Sequence, residues 1–161
     1  GPCAAKKLEA GRKSIRSDID FVLTFEEVMG MFEAKNVDFA KLESQELMHG
    51  ASGDGRGFAV SGGVAEAVVN CIHELYPEKE VKVESAEGLD NCRKLLALAK
   101  AGKYNGYLLE GMACPGGCVA GAGTLQPIPK STAAVKLQKK NSELAHAAQS
   151  SYGKLLKQLE E

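Results

Sequence analysis

The loop Met112-Ala113-Cys114-Pro115-Gly116-Gly117-Cys118 carries two thiols separated by three small residues. Small residues let a backbone wrap closely around a bulky ligand, and their amide N–H groups can donate to sulfide. A third thiol, Cys3, follows Pro2 and precedes AAKKLEA, so it sits in a turn leading into a helix. A thiolate at a helix N-terminus is favoured over the thiol, which suits metal ligation. Lys6 and Glu9 project one and two helical turns beyond it. The C-x3-C spacing differs from the usual zinc C-x2-C, and no second pair completes a tetrahedral site. His49, His73 and His146 are scattered without ligand spacing. Residue types alone leave iron–sulfur ligation, zinc binding and unliganded structural cysteines all open. For Cys3, a plain surface thiol among solvated charges is an equal reading.

The other two cysteines, Cys71 and Cys92, fall on apolar helix faces and read as structural, since a free buried cysteine behaves as a small hydrophobe. Five cysteines is an odd number, which excludes a complete disulfide framework within the chain. Loop cysteines beside glycines in a cytoplasmic-looking chain are more often ligands than disulfide partners.

The elements that must carry these residues follow from hydrophobic period. Asp18–Thr24 is a short apolar run that predicts a buried strand. Thr24 with Glu27 three residues on is a capping box, predicting a helix to about Ala34. His49–Gly57 is glycine-rich and reads as a loop; Phe58–Val60 reads as a short strand. Gly62-Gly63 then turns into the amphipathic helix VAEAVVNCIHEL, ending before Pro77. Glu80–Ser85 alternates as a strand, and Leu89, Cys92, Leu95, Leu96 and Ala99 mark one face of another helix, closed by Gly102. Tyr104–Met112 contains the last strand and runs directly into the cysteine loop. This rhythm predicts an α/β fold: a mostly parallel sheet of about four strands flanked by helices, with a long C-terminal helical segment. In such sheets ligand sites gather at the carboxyl ends of strands, where both the Gly62-Gly63 turn and the cysteine loop fall.

Residues 1–128 read as one α/β unit, and residues 129–161 as a helical extension, one long helix or two joined near Ser150–Gly153, with a solvated tail as the alternative. Within it Lys139-Lys140 reads as a solvated face. At 161 residues the chain is one domain's worth, with ordinary apolar (44%) and charged (25%) fractions. A net charge of −1 supports neither nucleic-acid nor anionic-membrane binding. With no span-length apolar run and no signal-peptide pattern, the expected location is cytoplasmic.

Taken in order, three segments resemble iron-only (FeFe) hydrogenases. Gly1-Pro-Cys-Ala-Ala-Lys-Lys-Leu-Glu9 resembles the family's second signature, M-P-C-x-x-K-x-x-E. Glu110-Gly-Met-Ala-Cys-Pro-Gly-Gly-Cys118 resembles the third, E-x-M-A-C-x-x-G-C. Between them, Phe58-Ala-Val-Ser-Gly-Gly-Val-Ala-Glu-Ala67 resembles F-G-x-T-G-G-V-M-E-A.

The resemblance implies the C-terminal lobe of the catalytic domain and the reaction 2H+ + 2e− = H2. It implies that Cys3, Cys114 and Cys118 ligate a 4Fe–4S cubane, with Cys118 also bridging to a diiron subcluster, together the H-cluster. Lys6 would hydrogen-bond a cyanide on that subcluster, Met112 would pack against it, and Glu9 would belong to a proton relay. Phe58, Ser61, Gly62 and Gly63 would line the cofactor pocket. The first signature, T-S-C-C-P, is not in the sequence, so the fourth ligand and the proton-delivering cysteine are expected from an N-terminal lobe of the same parent. Alone, the chain is expected to be inactive, to carry the H-cluster of the full-length protein incompletely or not at all, and in its apo form to self-associate. A ferredoxin-type protein would exchange electrons with the parent. After Cys118, VAGAGTLQP stands where the family has x-G-G-G-Q-P, which favours a divergent, sensory type. The alternative is a non-catalytic iron–sulfur-binding relative.

Overall fold

In the computed structural model, residues 1–12, 19–43 and 50–150 are described. The chain forms α1 (Ala5–Ala10), α2 (Phe25–Ala34), α3 (Gly53–Gly57), α4 (Gly63–Leu75), β1 (Lys82–Glu87), α5 (Leu89–Lys100), β2 (Tyr107–Met112) and α6 (Ile128–Lys140). The architecture is α/β, but the expected four-stranded sheet is a parallel pair among the described residues. Lys82 pairs with Tyr107 and Glu87 with Met112, and α5 is the crossover that a parallel pair requires.

Two expected strands do not form. Residues 19–24 run without strand pairing, and the Val22 carbonyl accepts from Lys7 Nζ (2.9 Å) rather than from a neighbouring strand. Asp18, at the start of that expectation, lies outside the described residues. Residues 58–60 are a turn, because Val60 N bonds back to Gly57 O (3.1 Å) and Gly63 N to Val60 O (3.0 Å). The strand expected over Glu80–Ser85 is displaced two residues toward the carboxyl end. Part of the expected glycine-rich loop is the short helix α3, started by Ser52, whose hydroxyl accepts from Gly55 N (3.1 Å); His49 lies outside the described residues.

The capping box forms as the sequence predicts. Thr24 N donates to Glu27 Oε2 (2.7 Å), and Glu27 N donates to Thr24 Oγ1. Glu27 also takes Lys7 Nζ on both oxygens at 2.7 Å, tying α1 to α2. The Lys7 hydrogen bond, then the Thr24 N–H, hold the Glu27 carboxyl down at about 2, against an ordinary 4.5. A depressed carboxyl stabilises the fold fully above its unfolded value and loses that contribution as pH falls through its folded one. The tie should therefore hold at pH 5 and disappear on acidification from about 4.5 to 2, followed by the Thr24 amide chemical shift. An unchanged Thr24 amide at pH 2 would contradict the tie.

The C-terminal segment is one 13-residue helix, α6, followed by a 3-10 turn at Ala147–Gln149; residues 151–161, including part of the expected joint, lie outside the described residues. The helix ends because the chain is drawn onto α3: Leu144 and Ala145 carbonyls accept from Gly53 N (2.7 Å) and Asp54 N (3.1 Å). Gly53 has no room for a Cβ, which would stand 2.9 Å from the Lys139 carbonyl of α6. Beside this contact Asp54, only 2% exposed, accepts from Asn70 Nδ2 and pairs with His146 Nδ1, each at 2.9 Å. Lys139 belongs to the same cluster, bonded to Glu66 at 2.6 Å, so it is not the solvated face the sequence suggests.

Few apolar side chains are buried among the described residues: Ala65, Ala67, Leu95 and Val119. By contrast Phe21, Met29, Phe39 and Leu42 are exposed. No helix among the described residues is long and apolar enough to cross a membrane.

Candidate functional site

Strand β2 delivers the cysteine loop. It ends at Met112, whose carbonyl accepts from Gly88 N (2.8 Å), and Cys114 follows two residues later. The loop then reverses through two consecutive left-handed glycines, Gly116 (φ +96°) and Gly117 (φ +91°). Gly117 N closes the turn on Cys114 O (2.9 Å), and Cys118 opens a 3-10 turn over Cys118–Ala120.

This loop is docked on the turn between α3 and α4. Ser61 N donates to Gly116 O (3.2 Å) and Val119 N to Ala59 O (3.0 Å). The turn is itself compressed, since a Cβ on Gly63 would stand 2.0 Å from Gly57 O. Two carboxylates hold the assembly. Glu110, 7% exposed in β2, accepts from Gly62 N (2.7 Å) and Ala65 N (2.9 Å) at the start of α4. A carboxylate there satisfies amides the helix leaves unpaired and complements the helix dipole. Glu87, at the end of β1, accepts from Gly116 N (2.9 Å). Hydrogen bonds from the Ser61 hydroxyl and Gly116 hold its carboxyl below the ordinary range.

The N-terminal turn closes the other side. Gly123 N donates to Pro2 O (2.8 Å), and a Cβ on Gly121 would stand 2.5 Å from that oxygen. The segment after Cys118 thus lies against the residue before Cys3. Lys6 is hydrogen-bonded to Glu9, which chiefly keeps its ammonium above the ordinary range. All five cysteines are free.

The sequence-derived residues fall into three sets. Cys3, Lys6 and Glu9 lie on the N-terminal segment, which meets the stretch after the Cys114–Cys118 loop through Pro2 and Gly123. Ser61, Gly62 and Gly63 line a cavity of about 450 Å3 shared with Val135 and Lys139 of α6, a cavity lined by none of the three candidate ligands. Phe58 does not line it and is 46% exposed; Met112 is half-buried. No group of three or more His, Cys, Asp or Glu among the described residues is gathered as a single metal ion would need.

The loop glycines do a different job from the one their size suggests. Gly117 makes room for the backbone of residues 59–61, and the Gly116 and Gly117 amides are bonded to Glu87 and Cys114. Sequence reading also missed Glu110 and Glu87 as organisers. Glu110 had a signal, being a lone charge inside the apolar strand YLLEGM. Glu87 had none, because its partners lie 26 and 29 residues away in the sequence.

The family described as "Iron only hydrogenase large subunit, C-terminal domain" matches residues 1–122. The chain is 33% identical over 160 residues to the periplasmic Fe hydrogenase large subunit of Nitratidesulfovibrio vulgaris, covering 79% of this chain and 38% of that protein. It is 30% identical over 163 residues to cytosolic iron-sulfur assembly component 3 of Pongo abelii, covering 78% of this chain and 34% of that protein. The hydrogenase HydA1 of Chlamydomonas reinhardtii superposes with a TM-score of 0.67 at 20% identity, over 98% of this chain and 56% of that one. That likeness speaks for the fold. The chain spans well under half the length of these curated relatives.

Proposed function

We propose, from the premise that the chain belongs to the family of C-terminal domains of iron-only hydrogenase large subunits, that its cysteine-bearing end holds part of an H-cluster. The observation that carries this is the meeting of the segment that bears Cys3 with the segment that follows Cys118, with Pro2 seated against Gly121 and Gly123. Free thiols on two separate segments, with Cys114 beside one of them, suit a four-iron cubane, whose ligands are spread over separate irons rather than gathered on one ion. Cys3, Cys114 and Cys118 would hold the 4Fe–4S unit, Cys118 also contacting a diiron subcluster. When bound, that group supplies electrons to and takes them from the reversible reduction of protons to dihydrogen.

The chain's own residues hold, orient and move protons. Lys6, a donor-only cation, offers hydrogen bonds to an anionic ligand beside Cys3 and Cys118. Glu9, bonded to Lys6, exchanges protons between solvent and the site. Met112, at the end of β2, would pack against the group, and the Phe58–Gly63 turn would support it indirectly, through the bond from Ser61 N to the cysteine loop.

The exposed Phe21, Met29, Phe39 and Leu42 support contact with an N-terminal lobe of the same parent, since so many large apolar side chains left in water are what a missing partner would cover. That lobe would complete the ligand set, and without it the apo chain would self-associate through the same surface. Residues 1–128 are the lobe and 129–161 an extension whose first helix packs on α3. The parent would trade electrons with a ferredoxin-type protein in the cytoplasm; the periplasmic name of one relative makes cell fractionation the check on location.

A non-catalytic reading is favoured by the iron–sulfur assembly proteins among the relatives. Anaerobic reconstitution of the chain with iron and sulfide, followed by cluster and hydrogen-evolution assays, separates the readings. Bound cluster with background hydrogen evolution is expected from the chain alone, with evolution restored in the full-length parent. Cluster without evolution in the parent would establish the non-catalytic reading, and evolution by the chain alone would overturn the fragment reading.

A further inference from the structure

We infer that Glu87 is a positioning residue, holding the Cys114–Cys118 loop in its ligand-ready shape before any cluster arrives. The parallel register sets Glu87 beside Met112, the last residue of β2, so its side chain stands at the sheet edge where the cysteine loop departs. From there its carboxylate accepts from the Gly116 amide at 2.9 Å. Ser61 N in turn donates to Gly116 O at 3.2 Å. The loop needs such a clamp. Gly116 and Gly117 are both left-handed, at φ +96° and +91°, and two successive glycines are the residues with the most conformational freedom to lose. A charge-assisted bond to Gly116 N removes part of that freedom in the folded chain, so the thiols of Cys114 and Cys118 are presented without a further ordering cost.

The second readout of the test rests on the iron–sulfur reading; the first does not. Glu87→Ala removes the bond accepted from Gly116, while Glu87→Gln keeps a carbonyl oxygen able to accept it. In the metal-free chain, amide exchange at Gly116 should accelerate about tenfold in Glu87→Ala and stay close to wild type in Glu87→Gln. Amides in the middle of α5 should be unchanged in both, reporting an intact fold. On reconstitution with limiting iron and sulfide, Glu87→Ala should incorporate several-fold less cluster, and Glu87→Gln should recover most of it. Equal Gly116 exchange in wild type and Glu87→Ala would overturn the inference, as would full cluster incorporation by Glu87→Ala. If no variant, wild type included, takes up a cluster, the second readout moves to the full-length parent; failure there would end the iron–sulfur reading, and the Gly116 exchange still decides the role of Glu87.

Discussion

Gly117→Ala is expected to undo the docking of the cysteine loop and to cost about 3–5 kcal/mol of stability. Two independent penalties combine. Gly117 sits at φ +91°, ψ −163°, a region open essentially only to glycine, and forcing an L side chain there costs about 1–3 kcal/mol. The new Cβ would also stand 2.5 Å from Ser61 N, 2.8 Å from Ala59 O and 2.9 Å from the Val60 carbonyl carbon. All three are backbone atoms of a turn already compressed between Gly57 and Gly63, so no side chain can swing aside, and overpacking of this kind costs about 1–3 kcal/mol. Against a typical domain stability of about 5–15 kcal/mol, that loss is large. Gly116→Ala is the control. Its φ of +96° also strains an L residue, but its Cβ would meet only the Ile128 and Ala120 side chains, at 3.4 and 3.6 Å. Urea denaturation should rank wild type above Gly116→Ala and Gly116→Ala well above Gly117→Ala. Equal midpoints for the two variants would show that the loop does not bear on the turn.

Glu110→Ala should rank next, at about 2–4 kcal/mol. The carboxylate is 7% exposed and accepts the Gly62 and Ala65 amides at 2.7 and 2.9 Å. Its removal leaves two donors unpaired near the start of α4, each costing about 1–3 kcal/mol where water cannot reach it. Part of this is offset because burying the carboxylate itself is costly. Glu110→Gln separates acceptor from charge: one amide keeps an oxygen, and the other can face an NH2 group that cannot accept. It should fall between wild type and Glu110→Ala in thermal melts. A Glu110→Ala protein as stable as wild type would mean that water replaces both bonds.

These two residues also mark what could be read from the sequence. Local signals were legible: the Thr24–Glu27 capping box, the helix after Gly62-Gly63, and the helix through Leu95 all rest on neighbours within a few positions. Of the apolar face expected on that last helix, however, Leu95 is buried while Leu89 and Leu96 are exposed. Strands were less so. Phe58–Val60 has strand composition, but the close packing of Gly57 on Gly63 turns it back on itself, a constraint that arises from α3 seated between α4 and α6. The run at residues 19–24 likewise has strand composition but pairs with no strand, and propensity alone does not make a strand where no edge is offered.

At the candidate site, the cysteine loop and the N-terminal cysteine were visible as chemistry, and the family resemblance joined them. Their supports were not. Asp54 hides in a glycine-rich segment, and its partners Asn70, His146 and Lys139 come from three other parts of the chain. His146, without ligand spacing in sequence, finds its role only when the chain folds back onto α3. The glycines of the loop were legible as small but not as to what they accommodate, which is protein backbone.

The central claim is that Cys3, Cys114 and Cys118 act together on one iron–sulfur centre while Cys71 and Cys92 serve packing. Electron paramagnetic resonance of the reduced chain, reconstituted anaerobically with iron and sulfide, tests it most directly across five single Cys→Ser variants. Wild type should give a cubane-type signal, kept in Cys71→Ser and Cys92→Ser, and lost or strongly altered in Cys3→Ser, Cys114→Ser and Cys118→Ser. A wild-type signal that survives unchanged in all three of the latter would contradict it.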